Sequence, residues 1–326
     1  MDDHGGNIDY ARSIYGGEIS DWLDLSTGIN LNPYPFSDIS SKSVYNLPRR
    51  DAFNNLQQAA RVFYGVPKDS KILTIAGVQT GIHVIPFLMK AGVVKILSPT
   101  YSEYTKIFAN FGWEVILVSK VSDLRGSDIA VLVNPNNPDG RVTNSHEILE
   151  LVPDVKEIII DESFADLRPE ISMVPFSSKR NITVFKSMGK FFGLAGLRLG
   201  FAIGNVAIID KMRSLFEPWQ VSGPALEIGA RALVDTNWIA ENKNYLLNGS
   251  RKLSKMLAKS QTLEIIGSTG LFHLIHTDSS LEAQKVFAEN KIWTRKFSYS
   301  KNWLRIGIPG NSEDWKKLDA GLAKFL

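Results

Sequence analysis

The sequence feature that most constrains the fold is a series of short apolar runs in the middle of the chain. Each run has three to five residues, and most are rich in isoleucine and valine. Continuous runs of this kind suit strands that are buried on both faces of a sheet. The seven runs are residues 72–75, 94–97, 115–118, 129–133, 158–160, 182–185 and 201–203.

Amphipathic helical stretches separate several of these runs, for example residues 80–90 and 101–111. Strands that alternate with helices favour a mostly parallel, doubly wound sheet, here with seven strands. The last two runs are close enough in sequence for one of them to be antiparallel. We therefore predict an α/β fold for this part of the chain.

A different pattern begins after about residue 217. A long helical region over 224–260 precedes apolar runs at 263–266, 271–276, 292–297 and 303–308, and an amphipathic helix is predicted over 312–326. This order indicates a smaller α+β domain. The first 45 residues have little periodicity and many Gly, Asn and Pro, which predicts an extended arm near the smaller domain. We expect a large domain over 45–217 and a second assembly of 1–44 with 218–326.

The composition argues against several classes of function. The 37 basic residues are interspersed with 34 acidic ones, and the net charge of +3 leaves no basic run for nucleic acid or a membrane surface. The absence of cysteine excludes disulfides, thiolate catalysis and zinc–sulfur sites. No apolar run approaches the roughly 20 residues of a membrane helix, and no signal peptide is recognisable. We expect a soluble cytoplasmic protein without a metal site.

Two neighbouring motifs place an amine beside groups that can hold a phosphate. Ser187-Met188-Gly189-Lys190 is followed closely by Gly196-Leu197-Arg198-Leu199-Gly200. A lysine amine can form a Schiff base with an aldehyde cofactor, while a serine hydroxyl and an arginine fork can hold its phosphate. The pair of motifs therefore predicts a site for a phosphorylated aldehyde.

Further candidate residues follow the predicted strands, where open α/β sheets bind their ligands. Val78-Gln79-Thr80 begins a helix whose N–H groups attract phosphate, and Tyr101 could stack on a flat heterocycle. Asn137 ends a turn that contains three asparagines, and Asp161 follows three isoleucines. Taken singly, each has a structural explanation: a glycine-containing turn, a packed tyrosine, a turn former, and a helix cap or ion pair.

The order of these features resembles the class I/II aminotransferases, which are pyridoxal-phosphate enzymes of fold type I. The resemblance covers nearly the whole chain. It implies that Lys190 carries pyridoxal phosphate and moves a proton at the substrate α-carbon, and that Asp161 pairs with the pyridine nitrogen. Asn137 would donate to the phenolate oxygen and Tyr101 would stack on the ring. The residues implied to hold the cofactor phosphate are Val78, Gln79, Thr80, Ser187 and Arg198.

The resemblance also implies residues outside this set. Tyr45 matches a tyrosine that reaches the cofactor phosphate of a neighbouring subunit, which implies a homodimer, although Tyr45-Asn46-Leu47-Pro48 departs from the usual Tyr-Pro pattern. Arg305 matches the arginine that binds the substrate carboxylate; its alternative is a surface arginine at a strand end.

Two segments favour one branch of the family, the threonine-phosphate decarboxylases of cobalamin synthesis. Phe164 ends Asp161-Glu162-Ser163-Phe164, where histidinol-phosphate aminotransferases typically have tyrosine. The opening His4-Gly5-Gly6-Asn7 and the later stretch with Gly28 and Asn30 also resemble the decarboxylases, with Gly28 in place of the usual asparagine. His4, Gly28 and Asn30 are thereby implied to bind substrate.

Three other functions are alternatives to decarboxylation of a phosphorylated amino acid. An aminotransferase of the histidinol-phosphate type would share every cofactor contact and stays open. A regulator's effector domain is disfavoured because the chain has no room or basic segment for a DNA-binding domain. A nicotinamide dehydrogenase is disfavoured because no Gly-x-Gly-x-x-Gly turn follows the first predicted strand.

Overall fold

The computed structural model describes residues 4–179 and 181–326, which form two compact units. The central unit comprises Tyr34–Asn137 and Arg141–Thr236. The terminal unit comprises the described residues up to Pro33, the turn Pro138–Gly140, and Asn237–Leu326.

Strands and helices alternate along most of the described chain. In chain order the strands are β1 (Leu23–Asp24), β2 (Lys71–Ile75), β3 (Val93–Leu97), β4 (Glu114–Val118), β5 (Ile129–Val133), β6 (Glu157–Asp161), β7 (Ile182–Ser187), β8 (Gly200–Gly204), β9 (Glu264–Ser268), β10 (Phe272–His276), β11 (Ile292–Trp293), β12 (Arg295–Phe297) and β13 (Ser300–Gly307). The α-helices are α1 (Ile8–Tyr15), α2 (Ser41–Tyr45), α3 (Arg50–Tyr64), α4 (Val78–Val84), α5 (Ser102–Asn110), α6 (Ser145–Leu149), α7 (Val206–Phe216), α8 (Gly223–Val234), α9 (Thr236–Leu257), α10 (Ser280–Glu289) and α11 (Ser312–Leu322).

The central unit is built on a seven-stranded sheet in the order β2-β8-β7-β6-β5-β3-β4. Strand β8 is antiparallel to both of its neighbours, and the other pairs are parallel. The predicted mostly parallel sheet is confirmed, including an antiparallel member among the last two runs. Strands β5 and β6 are buried at every residue, because helices of the unit cover both faces of such sheets.

The terminal unit contains an antiparallel sheet in the order β12-β13-β10-β9, and β1 pairs in parallel with β11. Helices α9, α10 and α11 contribute leucine and phenylalanine side chains to its core. The predicted helical region over 224–260 is divided into α8 and α9 at Asp235, and the predicted run 292–297 is divided at Thr294. The expected smaller α+β architecture is thus present, although one predicted helix and one predicted strand are each divided in two.

The compact units differ from the predicted domains at three places, the first of which is the turn Pro138–Gly140 in the terminal unit. Residues 34–44 and 218–236 lie in the central unit. The physical reason is helix packing, because α8 lies along α3 and also contacts α2. A helix that buries Leu226, Ile228 and Leu233 is held where those side chains find apolar partners.

The first 45 residues contain more regular structure than the predicted extended arm. Asn7 caps α1, and its side chain accepts a hydrogen bond from the backbone N–H of Tyr10. Ala11 is fully buried in a small apolar cluster with Trp22 and Trp293. The predicted extended arm is therefore wrong for residues 8–15. This short helix buries a single alanine, and its contacts stabilise it more than its own periodicity does.

No helix among the described residues combines the length and the apolar character that crossing a bilayer requires.

Candidate active site

Lys190 lies in the turn that follows β7 in the central unit. The turn is closed by two backbone hydrogen bonds, from Met188 N–H to the Leu199 carbonyl and from Leu194 N–H to the Met188 carbonyl. The Lys190 ammonium lies 5.2 Å from the ring centroid of Phe164, which is itself buried. A cation over an aromatic face is attracted to it, so Phe164 contributes to the position of the amine.

Asp161 is the last residue of β6 and is only 4% exposed. One carboxylate oxygen accepts hydrogen bonds from the Ser163 N–H at 2.9 Å and from the Ser163 hydroxyl at 2.5 Å. The other oxygen accepts from the Tyr104 hydroxyl at 3.1 Å. Burial raises the pKa of Asp161, while the bonds from Ser163 and Tyr104 and the charge of Lys190 oppose that rise. The carboxylate is therefore held in a fixed orientation with donors on both oxygens.

Arg198 adopts a left-handed backbone conformation, with φ 53°, directly after the short 3-10 turn Ala195–Leu197. Its guanidinium lies against Gly77, where an added Cβ would be 2.8 Å from Nη2. Gly77 has φ 81° and precedes the first residue of α4. The positive φ favours glycine here, and the absence of a Cβ leaves room for the arginine to approach. Arg198 and the start of α4 are thus brought together, as predicted for a phosphate site.

The other predicted phosphate contacts have their own partners in the structure. The Thr80 hydroxyl donates to the Ala76 carbonyl at 2.8 Å, and the Thr80 N–H donates to the Gly77 carbonyl at 3.1 Å. The Ser187 hydroxyl accepts from the Gly189 N–H at 3.2 Å. A hydroxyl that accepts one hydrogen bond still has its proton to donate. The roles of Val78, Thr80 and Ser187 toward a phosphate stay predictions.

Tyr101 immediately precedes α5, and its hydroxyl is held by a chain of hydrogen bonds between side chains. The hydroxyl donates to the Gln79 side-chain oxygen at 3.0 Å, and the Gln79 amide donates to Glu103 at 3.2 Å. Both ends of the Gln79 amide are engaged, so its side chain orients the tyrosine that was predicted to stack.

The asparagines in the turn after β5 differ in their contacts. Asn134 holds Thr143 through two hydrogen bonds of 3.0 Å, one from each end of its amide. Asn136 donates to the Pro99 carbonyl at 2.8 Å and accepts from the Thr100 hydroxyl at 2.6 Å. These two residues fix the turn, which places Asn137 at its end with 8% exposure. Asn137 is therefore the asparagine of this turn that is predicted to donate a hydrogen bond to the cofactor.

Sequence reasoning missed Tyr104, which the structure places against Asp161. Tyr104 is fully buried on α5 with Ile107 and Phe108, in the i, i+3, i+4 pattern of a core-facing helix stripe. A buried tyrosine hydroxyl usually has a hydrogen-bond partner. That rule is the signal that could have found it, because Asp161 was already predicted as a buried carboxylate.

Tyr45 is the last residue of α2 and is 82% exposed. Within the described chain it lies on the surface of the central unit. Its predicted contact with the cofactor of a second subunit stays a prediction.

In the terminal unit, Arg305 lies in β13 and is 1% exposed, so the surface alternative is wrong. Its cross-strand partner in β12 is Arg295, which is also buried. Burial and the charge of Arg295 lower the pKa of Arg305 to about 9. Asp24 acts in the opposite direction. Two buried guanidinium groups on neighbouring strands are costly unless anions accompany them, so this pair suits an anionic ligand. Arg295 was not among the predicted residues.

The remaining predicted substrate residues also lie in the terminal unit. The Asn30 amide donates to the Asn32 carbonyl at 2.8 Å and to Asn242 at 2.9 Å, which is a structural role. Gly28 has φ 62°, a conformation that glycine and asparagine adopt more readily than other residues; this explains why glycine can replace asparagine there. His4 is half-buried. Their contacts with substrate stay predictions.

The residues of the central unit fit pyridoxal phosphate in their chemistry. An amine, a buried carboxylate and a guanidinium beside a helix start correspond to its aldehyde, its ring nitrogen and its phosphate. The described residues contain no group of three or more side chains suited to bind a metal ion.

The chain belongs to the family described as aminotransferase class I and II, whose sequence profile matches residues 23–318. It is 36% identical to the threonine-phosphate decarboxylase of Sinorhizobium sp, over 99% of this chain and 98% of that protein. It is 32% identical to the threonine-phosphate decarboxylase of Pseudomonas aeruginosa, over 100% of this chain and 98% of that protein. The histidinol-phosphate aminotransferase structure from Clostridium acetobutylicum has a TM-score of 0.82 at 22% identity, covering 93% of this chain and 98% of that one. The predicted fold type I is thereby confirmed.

Proposed function

We propose that this protein is a pyridoxal-phosphate enzyme that decarboxylates L-threonine O-3-phosphate to aminopropanol phosphate in cobalamin synthesis. The observation that carries the proposal is full-length similarity to two threonine-phosphate decarboxylases, at 36% and 32% identity. Phe164 supports it, because its ring lies under the Lys190 amine and brings no hydroxyl to the site.

The cofactor residues of the central unit have distinct tasks in this reaction. Bound pyridoxal phosphate supplies an electron sink for the bond that breaks at the substrate α-carbon. Asp161 would keep a positive charge on the ring nitrogen, because its buried carboxylate is oriented by hydrogen bonds from Ser163 and Tyr104 that favour its ionised form. Lys190 holds the cofactor and afterwards donates a proton at the α-carbon. Arg198 holds the phosphate, and Asn137 donates to the phenolate oxygen.

The terminal unit supplies the groups that would hold the substrate. A phosphorylated amino acid carries a carboxylate and a phosphate, and Arg305 and Arg295 are two neighbouring buried cations. We assign the carboxylate to Arg305 and the phosphate to Arg295, with His4 as a further donor to the phosphate. A decarboxylase must hold the bond from the α-carbon to the carboxylate perpendicular to the cofactor ring. The arginine that grips the carboxylate therefore decides which bond breaks.

A homodimer is part of the proposal. Tyr45 and its neighbours Val44 and Leu47 are exposed at 82%, 62% and 62%. Exposed apolar side chains grouped in one segment suit a surface that a second copy covers. Light scattering after gel filtration would test this, with a monomeric mass as the contrary result. The cytoplasmic location stays a prediction from composition.

The nearest alternative is an aminotransferase of the histidinol-phosphate type, which the family description keeps open. The two reactions differ in their products and in their need for an amino-group acceptor. The purified holoenzyme is incubated with L-threonine O-3-phosphate and no oxo acid, and carbon dioxide and aminopropanol phosphate are measured. We expect both products from the wild type and neither from Lys190→Ala. Amino transfer that depends on 2-oxoglutarate, without carbon dioxide, would overturn the proposal.

A further inference from the structure

The N-terminal segment Gly5-Gly6, called the strap below, contacts the residue that holds Arg305 in the terminal unit. The Arg305 Nη2 donates to the backbone carbonyl oxygen of Ser26. The Gly6 N–H donates to the Ser26 hydroxyl at 2.7 Å. Ser26 is fully buried, and its main chain and side chain therefore connect the strap to the guanidinium.

The strap lies directly against the carbonyl group that Arg305 uses. A Cβ added at Gly5 would collide with the Ser26 carbonyl oxygen and would lie 2.8 Å from the carbonyl carbon. These are backbone atoms, which cannot turn away as the end of a flexible side chain can. Only glycine fits at this position without moving Ser26.

Ser26 itself is fixed from the other side. Its N–H and its hydroxyl both donate to one oxygen of Asp24, at 2.9 Å and 2.5 Å. Leu25 is bonded to both flanking strands, through its N–H to the Trp293 carbonyl at 2.8 Å and through its carbonyl to the Gly307 N–H at 2.7 Å. The segment is thus held between β11 and β13, and the strap contacts it at both the carbonyl group and the hydroxyl of Ser26.

The guanidinium has a second restraint that makes its direction sensitive to Ser26. Its central carbon lies 4.8 Å from the ring centroid of Phe272. A planar group resting on an aromatic face can still rotate in its own plane. The hydrogen bond to the Ser26 carbonyl restricts that rotation.

We infer that the strap is a positioning element for Arg305: contact of Gly5 and Gly6 with Ser26 sets the direction of the guanidinium and hence its grip on a substrate carboxylate. The inference rests on the proposed role of Arg305 as the carboxylate-binding residue. Gly5 and Ser26 act through Arg305 and need not touch the substrate. The N-terminal segment thereby controls substrate affinity without altering the cofactor residues of the central unit.

The test compares Gly5→Ala with Gly16→Ala in the holoenzyme. Gly16 directly follows α1 in the N-terminal part of the chain, and an added Cβ there meets nothing within 4 Å. Its φ of 68° strains an alanine, so Gly16→Ala reports on a weakened segment whose contact with Ser26 is intact. Steady-state rates with L-threonine O-3-phosphate give KM and kcat. The visible absorption band of the bound cofactor is recorded for each variant.

We expect Gly5→Ala to raise KM about tenfold, the effect of disturbing one hydrogen bond to a charged group. Its absorption band and cofactor affinity should match the wild type, and Gly16→Ala should keep the wild-type KM. Calorimetric titration of L-threonine O-3-phosphate into the same proteins carrying Lys190→Ala should show the same loss of affinity without turnover. An unchanged KM in Gly5→Ala, or an equal rise in Gly16→Ala, overturns the inference.

Failure of the proposed function can be distinguished from failure of this inference. If the wild type transfers amino groups and releases no carbon dioxide, decarboxylation is refuted. KM for glutamate, whose α-carboxylate needs the same arginine, then replaces KM for the phosphorylated substrate. A raised KM for glutamate in Gly5→Ala supports the positioning role, and an unchanged one refutes it.

Discussion

Removing one oxygen atom from Tyr104 tests how the protein keeps Asp161 charged. Tyr104→Phe retains a ring that is fully buried in the core of the central unit. It deletes the hydrogen bond of 3.1 Å to the carboxylate. The two bonds from Ser163 to the other oxygen stay in place. The variant thus isolates one of three donors to a buried charge.

The expected effect follows from the strength of a hydrogen bond to an ionised group, about 1.5–3 kcal/mol. Without it the pKa of Asp161 rises further, because burial already raises that pKa and the Tyr104 bond opposes the rise. A neutral Asp161 cannot pair with a protonated ring nitrogen. We therefore expect cofactor affinity to fall by about one to two orders of magnitude at neutral pH. The defect should be larger in acid and smaller in alkali, where Asp161 is ionised in both proteins.

The assay is a spectrophotometric titration of apoprotein with pyridoxal phosphate at several pH values. Tyr64→Phe is the matched control, because the Tyr64 hydroxyl is buried and makes no hydrogen bond among the described residues. It should bind cofactor as the wild type does. The reasoning about Asp161 is refuted if Tyr104→Phe and Tyr64→Phe have the same affinity and the same pH profile.

Three further predictions concern other buried charges. Lys186→Met should lower the free energy of unfolding by about 3–5 kcal/mol in urea titrations, because it leaves Glu162 and Asp166 buried without the ammonium that lies 2.7 Å and 3.7 Å from them; an unchanged midpoint would contradict this. Burial raises the pKa of Glu157 to about 7 from 4.5, so the wild type should lose roughly 3 kcal/mol of stability between those pH values. The stability of Glu157→Gln should not decline over this pH range. Parallel curves of unfolding free energy against pH for the two proteins would contradict the prediction. Arg305→Lys should raise KM and spare the cofactor band, since a lysine cannot form the bidentate fork; a changed band with unchanged KM would contradict its role.

The sheet could be predicted from the sequence because its strands are buried on both faces. Such strands show as continuous apolar runs, and their ends mark the edge where a ligand binds. Asp161 was found in this way, since it follows an apolar run at a strand end. Lys190 was found from its own motif in the turn after β7. The helix α1 was not found, because it packs against Trp22 and Trp293, which lie outside the helix and whose contact with it its own periodicity does not report.

The two residues missed in the candidate site were missed for the same physical reason. Tyr104 and Arg295 each occupy an ordinary position, a core-facing helix stripe and a short strand. What makes them significant is a partner brought by another element, Asp161 for the tyrosine and Arg305 for the arginine. Periodicity reports which face of an element is buried and cannot report what that face meets.

The placement of buried charge separates the two tasks of the proposed reaction. In the central unit, Asp161 is held by neutral donors that favour its negative charge, which suits a cationic ring nitrogen. In the terminal unit, Arg305 and Arg295 are neighbouring buried cations, and burial together with the charge of Arg295 lowers the pKa of Arg305, which suits an anionic substrate. Each arrangement favours a ligand of the complementary charge, and such a ligand stabilises the folded protein when it binds. Substitutions that affect Asp161 should therefore change cofactor binding, and substitutions that affect Arg305 or Arg295 should change substrate affinity.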